Sequence, residues 1–455
     1  MIPMRASDIA GFVGGEVAFG DGGAIADNIV TDSRKARKGS CFFALKGEAT
    51  NGELFLSDAF SRGAAIAVVA NPDPMAQLCQ ITVRDPLKAL QDLARAYIER
   101  FPIPFVAVTG SSGKTTTKEL LATILSQKYK TAKSPGNLNS QTGVPLSIFG
   151  LAPSDEIGVF EISMSHPGEI LANVEILRPQ TVIITNIGVA HIEFLGSREN
   201  IYLAKKESLA FLGESCAAIV NGEDDMLCSL EGGPFEVIKA GVECGDFTAA
   251  NVSYGAGGSD FYVDLGGKAE HFRFPLAGRH FVLDALLAIA AAWRHGLGAE
   301  EIQQGLASFE ASDSRMDSEE IGGVTLLNDT YNANPESMKA SLDTLAILAK
   351  GGRAAAVLGD MFELGERQWE LTKEVGRHAA RRGIGYLAVS GNTAEAFAEG
   401  YGEANGNGVV FASSSYEAIA SSIAEWLKPG DAALFKASRG MAFEGIYSLV
   451  AKRLR

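Results

Sequence analysis

The segment Thr109-Gly110-Ser111-Ser112-Gly113-Lys114-Thr115-Thr116 has the residue types and spacing that point most directly to chemistry. It follows the apolar run Phe105-Val106-Ala107-Val108 and precedes a stretch, Lys118 to Tyr129, that carries Leu120, Leu121, Ile124 and Leu125 on one helical face. Between a strand and a helix, glycines let the backbone approach an anion, and the amides of the helix N-terminus point at it. Lys114 adds charge toward the β- and γ-phosphates of a triphosphate. Gly110, Ser111, Ser112, Gly113, Lys114, Thr115 and Thr116 are therefore candidate contacts to a nucleotide, with ATP expected. The Thr115 hydroxyl is a candidate Mg²⁺ ligand. The front of the loop is shortened, since Val108 stands where the general pattern has glycine. A triphosphatase, a kinase or a ligase could own such a loop, and a Ser- and Gly-rich turn with a chance lysine is the bland alternative.

Two more side chains stand at the C-terminal ends of expected strands, where ligands of open α/β sheets gather. Glu161 ends the strand Val159-Phe160 and is a candidate metal ligand, and His191 follows the strand Val182 to Thr185 by a short loop. Taken singly, each is more often a solvated carboxylate or a hydrogen-bonded loop histidine.

The elements that must hold these groups follow from hydrophobic patterning. Short β-branched runs at Phe105 to Val108, Gly158 to Ile162, Thr181 to Thr185 and Ala217 to Val220, separated by helical stretches, predict a buried parallel sheet. Alternation in Phe261-Tyr262-Val263-Asp264-Leu265 predicts a β-rich insertion, and a long helix is expected over Phe281 to Arg294. A second series of strands runs through Val324 to Leu327, Ala354 to Leu358, Tyr386 to Val389, Val409 to Phe411 and Ala432 to Phe435. Upstream, Cys41 to Leu45 and Ala65 to Ala70 flank a helical stretch, Leu54 to Arg62. A helical connector over Pro86 to Arg100 ends at Phe101-Pro102-Ile103-Pro104. The expectation is an α/β protein of three domains: a small mixed α/β N-terminal domain (1–101), a central P-loop ATPase-like parallel-sheet domain (102–312) and a C-terminal Rossmann-like α/β domain (313–455).

With 455 residues, 46% hydrophobic and 21% charged, the chain can bury more than one core. A formal charge of -15 argues against broad nucleic-acid binding, which needs Lys and Arg on phosphates. Cys41, Cys79, Cys216, Cys228 and Cys244 show no metal-ligand spacing and read as reduced, mostly core residues. The N-terminus lacks a secretory pattern, and the apolar run Ala285 to Trp293 is about half the length of a membrane span, so a cytoplasmic protein without membrane insertion is expected.

Further residues carry a family resemblance. The segments Asn328-Asp329-Thr330-Tyr331-Asn332-Ala333-Asn334-Pro335 with Ser337-Met338-Lys339, and Leu358-Gly359-Asp360-Met361-Phe362-Glu363-Leu364-Gly365-Glu366, are the strongest signals. Thr31-Asp32-Ser33-Arg34 with Lys46-Gly47, Thr185-Asn186 followed by His191, and Lys206 support them. From about Thr31 to about Arg439 the chain resembles the Mur ligases, ATP-dependent amide-bond-forming enzymes of peptidoglycan precursor synthesis.

The resemblance implies that Lys114 binds the β- and γ-phosphates, with Thr115 and Glu161 on a first Mg²⁺ and His191 on a second. It implies a carbamylated lysine at Lys206, which alone would read as part of a solvated helix face. Arg315 and Asp329 would reach the nucleotide from the third domain, and Asp284 stands where the family usually has an asparagine facing adenine. Ser33 and Arg34 would touch the UDP end of the substrate, and Asn332 and Asn334 the dipeptide or the acyl phosphate. The implied partners are UDP-N-acetylmuramoyl-tripeptide and D-alanyl-D-alanine. Besides Asp284, the chain departs from the family in Ala49-Thr50-Asn51-Gly52-Glu53, which lacks the usual Asp-Gly-His, and in Ala437, which replaces a glycine. A ligase for another acceptor, including a folylpolyglutamate synthase or the preceding ligase of the pathway, is the nearest alternative. A regulatory triphosphate-binding switch is an alternative of another class.

Overall fold

In the computed structural model, residues 1–47, 50–255, 257–310 and 315–455 are described. The expected boundary between 312 and 313, and Ala49 of the departing segment, lie outside the described residues. The chain forms two compact units, one of Met1–Val108, Tyr129–Val182 and Glu207–Cys216, the other of Thr109–Lys128, Ile183–Lys206 and Ala217–Arg455. The expected α/β class holds in both.

In the first unit the described strands Glu16–Phe19, Cys79–Thr82, Ala64–Val69, Ser40–Phe43 and Asn28–Val30 lie side by side in that order. Only the first pair is antiparallel. Phe42, Ala67, Val69 and Leu56 pack into their core. The connector helix spans Pro86–Ile98, with Pro86 at its first turn and the Asp85 carboxylate accepting from the amides of Leu87 and Lys88, at 2.8 and 3.3 Å. Thr131–Lys133, Ile157–Glu161 and Phe105–Thr109 run parallel, with Glu161 opposite Val108. Every residue of the latter two strands is buried, as a sheet covered on both faces requires.

In the second unit the helix Lys114–Leu125 packs against Arg279–Arg294 and Ala299–Ala307. Ala217–Asn221, Glu236–Gly241 and Phe247–Gly255 are parallel. Gly258–Asp264 and Ala269–Phe274 then add antiparallel pairs with the alternating exposure expected of the insertion. A second sheet has the order Asp317–Ile321, Val324–Asn328, Ala432–Lys436, Ala354–Gly359, Tyr386–Ser390 and Val409–Ala412 among the described residues, parallel after the first pair.

Three expectations are corrected. The helix after the phosphate loop starts at Lys114 and ends at Leu125, four residues earlier at each end than the apolar spacing suggested. The strand Asp317–Ile321 was not expected, because an acidic, exposed edge has little β-propensity. It forms because Gly322 and Gly323, both at positive φ, make a two-residue hairpin turn that sets Ile321 opposite Val324. Of the cysteines, only Cys41 and Cys79 are buried, Cys228 and Cys244 are exposed, and all five are free thiols.

The motif around Asp360 has a structural use. Its carboxylate, 3% exposed, accepts from the amides of Asn392 and Thr393 at 2.7 and 2.9 Å and from the Thr393 hydroxyl at 2.6 Å, closing the turn before the helix Ala394–Glu403. Asp360→Ala orphans these donors and is expected to cost roughly 2–4 kcal/mol in urea unfolding; an unchanged midpoint would remove this role.

Candidate active site

The phosphate loop ends in Gly113, whose φ of +76° makes the left-handed turn from which the helix Lys114–Leu125 departs. No capping side chain covers the start of that helix, so its dipole is presented at the loop. The loop is held by Thr185 and Asn186, two residues with no role of their own legible in the sequence. The amides of Ser111 and Ser112 donate to Asn186, at 3.1 Å to its carbonyl and 3.0 Å to its side-chain oxygen. The Asn186 amide returns a bond of 2.9 Å to the Ser112 hydroxyl, the Thr185 hydroxyl donates to the Ser112 carbonyl at 2.5 Å, and the Gly188 amide donates to the Ser111 hydroxyl at 2.8 Å. A loop fixed on this many points needs little reorganisation to receive an anion.

Two lysines converge on one carbonyl. Lys114 Nζ and Lys205 Nζ each donate to the Gly110 oxygen at 2.9 Å. Lys205 is 1% exposed, and its burial, reinforced by the charge of Lys114, pushes its pKa well below that of an ordinary lysine. Lys206, the position expected to carry the carbamate, is exposed, with its ammonium 5.9 Å from the Tyr202 ring centroid. Adjacent helical residues diverge by about 100°, so only one of the two can face the loop, and it is Lys205.

The C-terminal motif reaches the same loop. Asn334 caps the helix Pro335–Leu348 by accepting from the Ser337 amide at 2.8 Å, while its own amide donates to the Ser111 carbonyl at 3.4 Å. Its side chain is thus engaged as a cap and on the loop, while Asn332 is exposed. Glu336 accepts from the Val189 amide at 2.9 Å. Asp329 is 6% exposed, ion-paired with Lys436 at 2.5 Å and hydrogen-bonded by Ser341 at 2.6 Å. Arg315 stacks on Tyr331, 4.0 Å from the ring centroid, and its Nε is buried without a hydrogen-bond partner among the described residues. His191, at a φ of +64°, places Nδ1 2.5 Å from the Glu363 carboxylate, a contact that lowers the Glu363 pKa.

In the other unit Glu161 is 1% exposed and accepts from the Asn139 amide at 2.7 Å, with its backbone amide on the Ser134 hydroxyl. Asp32 caps the turn Ser33–Lys35 through the Arg34 amide and pairs with the Arg34 guanidinium at 2.8 Å, which brings the Asp32 pKa down to about 2. Ser33 is buried, while the Arg34 side chain is 80% exposed. Thr31 to Arg34 therefore forms a capped turn with an outward-facing cation.

Beside the loop lies a narrow slot of about 10 Å³, lined by Thr115, Thr116 and Glu119 of the helix and by Leu276, Phe281, Phe309 and Arg315. Asp284 does not line it. Its carboxylate lies under the loop, so close that a Cβ on Gly113 would sit 2.5 Å from Oδ1. Burial raises the Asp284 pKa from 3.8 to about 8, with the Thr117 hydroxyl opposing the shift. Because the folded pKa is the higher one, the native chain retains this proton. Stability is then lost as pH rises from about 4 to about 8 and is level above that. Asp284→Asn, isosteric with the protonated acid, is expected to flatten the decline in unfolding free energy between about pH 5.5 and 8, and to be more stable than the parent at the upper end by about 1 kcal/mol or more. Parallel profiles for the two proteins would mean that Asp284 is ionised in the native chain.

Comparison with known proteins agrees with this arrangement. Residues 108–292 match the Mur ligase middle domain, and residues 314–439 match the Mur ligase, glutamate ligase domain. The UDP-N-acetylmuramoyl-tripeptide–D-alanyl-D-alanine ligase of Bacillus subtilis (strain 168) is 33% identical over 93% of this chain and 92% of its own length. Among solved structures, MurF from Acinetobacter baumannii superimposes with a TM-score of 0.91 at 29% identity over 99% of both chains. The MurF ligase from Thermotoga maritima in complex with ADP gives 0.85 at 30% identity over 94% of this chain and 97% of that one. With a curated relative matched at this identity along nearly its whole length, the chain belongs to the Mur ligase family.

Proposed function

We propose that this chain is an ATP-dependent ligase that adds D-alanyl-D-alanine to UDP-N-acetylmuramoyl-tripeptide in cytoplasmic peptidoglycan precursor synthesis. The observation that carries the reading is the phosphate loop of Gly110 to Thr116 with the C-terminal motif residue Asn334 on its Ser111 carbonyl. A protein that only bound a triphosphate would have no need to bring that motif to the loop. Domain by domain, 1–101 would take the UDP end of the substrate, 102–312 the ATP, and 313–455 would complete the ligase site.

A carboxylate is a poor electrophile, so an amine cannot displace its oxygen unaided. The terminal carboxylate of the tripeptide attacks the γ-phosphorus of ATP, forming an acyl phosphate as the bond to ADP breaks. The amine of D-alanyl-D-alanine then adds to the acyl carbon, loses a proton, and phosphate departs from the tetrahedral intermediate. Lys114 and the amides at the start of the helix Lys114–Leu125 stabilise the charge that grows on the transferring oxygens. Arg315, with its orphaned Nε, is the candidate contact to the nucleotide, and Asp329, anchored by Lys436, supports the same segment.

Mg²⁺, when bound, neutralises phosphate oxygens. Thr115, Glu161 and His191 are hard or borderline donors of the type it accepts. Among the described residues there is no group of three or more His, Cys, Asp or Glu able to hold a metal. This suits an ion held largely by substrate phosphates and water. The carbamate belongs on Lys205: its buried, proton-poor amine can add to CO₂, releasing one proton, and so place a carboxylate-like group beside Gly110.

Phosphate release that depends on both UDP-N-acetylmuramoyl-tripeptide and D-alanyl-D-alanine, with a product heavier by the dipeptide residue, is the expected result; ATP hydrolysis indifferent to both would refute the reading. Lys205→Ala is expected to lose on the order of 10²-fold or more in kcat and to recover in part with short carboxylic acids, as for removal of one charge-stabilising group. Lys206→Ala should stay near the parent rate. The reverse pattern would return the carbamate to Lys206.

A further inference from the structure

Three adjacent parallel strands, Val324–Asn328, Ala432–Lys436 and Ala354–Gly359, release loops at their C-terminal ends, the edge at which open α/β sheets bind ligands. Ser438 ties the three loops together. Its hydroxyl accepts from the Phe362 amide at 2.9 Å and donates to the Ala333 carbonyl at 3.5 Å, while Lys436 Nζ donates to the Asn332 carbonyl at 3.0 Å. On this edge the Tyr331 ring carries two guanidinium groups, that of Arg315 at 4.0 Å from its centroid and that of Arg439 at 5.8 Å. Among the described residues Arg439 meets one carboxylate, Glu444, at 3.2 Å through Nη1, and at 63% exposure the rest of its five-donor fork is open to solvent. The Phe362 ring, 45% exposed, lies against Gly440, where a Cβ would come within 2.9 Å of it. The neighbouring carboxylate, Glu363, is taken up by His191.

We infer that Arg439 receives the terminal carboxylate of the acceptor dipeptide, with the Phe362 ring as the apolar wall for its methyl side chain. The inference rests on the ligase reading and deepens it. The acceptor amine must stay unengaged to attack an acyl carbon, so the site has to grip the molecule at its other end, which is an anion. Of the cations at this edge, Lys436 is buried against Asp329, and Arg315 has its Nε buried beneath the surface. Arg367 stands in the turn Gly365–Arg367, away from the Ser438 ties. Arg439 is left, and its planar fork matches a carboxylate through two parallel hydrogen bonds. The second guanidinium on the same ring adds to the positive potential there, and a carboxylate relieves the repulsion between the two. Gly440, with no side chain, is what lets the Phe362 ring lie beside Arg439 and offer apolar surface next to the charge.

The test compares kcat/KM for D-alanyl-D-alanine and for its C-terminal amide, which keeps the reacting amine and lacks the charge, in the full-length protein with ATP and UDP-N-acetylmuramoyl-tripeptide saturating. The expected preference for the free carboxylate is about tenfold or more, as for loss of a charge-assisted hydrogen bond. Arg439→Gln should abolish that preference by raising KM for the dipeptide, with KM for ATP unchanged. Arg439→Lys, which keeps the charge without the fork, should fall between the two. Arg367→Gln should retain the parent preference, and Phe362→Ala should raise KM for both acceptors by a common factor; an unchanged KM would remove the wall. A parent preference below about tenfold, its persistence in Arg439→Gln or its loss in Arg367→Gln overturns the inference. So does a rise in KM for ATP in Arg439→Gln, which would give Arg439 to a phosphate. If neither acceptor supports phosphate release, the ligase reading fails, and calorimetric titration of the same two acceptors, with the tripeptide and a non-hydrolysable ATP analogue present, still decides the carboxylate contact.

Discussion

The carbonyl oxygen of Gly110 accepts hydrogen bonds from two lysines, and the chemistry of the site turns on that convergence. Two ammonium groups so close, one of them buried, cannot both hold their charge cheaply. Lys114 is the first residue of the helix Lys114–Leu125 and lies on the loop itself. Lys205, walled off from water, is pushed toward the free amine. One backbone oxygen thus holds two residues of the same type in different surroundings.

Around that point the loop is held from several directions. Asn186 and Thr185 supply donors and acceptors that match the Ser111-Ser112 backbone, and Asn334 approaches the Ser111 carbonyl from the C-terminal motif. The motif itself is built on secondary-structure requirements: Asn334 must cap a helix, Asp329 must pair with the buried Lys436, and Tyr331 stacks beneath Arg315. Residues that satisfy local structure also bring Asn334 to the phosphate loop. Burial makes the Asp329–Lys436 pair costly to alter, since either residue left unpaired would be without solvent.

Two residues a turn apart on the helix Arg279–Arg294 fit one picture. Asp284 sits under Gly113 with its proton retained, so it presents the loop with no negative charge that would repel phosphate. Phe281, a turn earlier, lines the narrow slot beside the loop.

The amino-acid sequence alone determined the α/β class, the strand, loop and helix that carry Gly110 to Thr116, and the buried strands of both sheets, because periodicity and β-branched runs are local properties. It also showed the C-terminal motifs, whose order carried the resemblance to the Mur ligases. It pointed to Lys206 as the functional lysine, whereas Lys205 faces the loop, because which of two neighbouring helical residues does so depends on how the helix Arg198–Lys206 is rotated against it, a matter of packing. Nor did it reveal the edge strand Asp317–Ile321, which a hairpin turn imposes on an acidic segment. Phe281 and Phe309 read as ordinary core residues, and only folding brings them to one side of a slot. Asp284 was visible as a departure from the family, but its proton is a consequence of burial, which no pattern of residue types encodes.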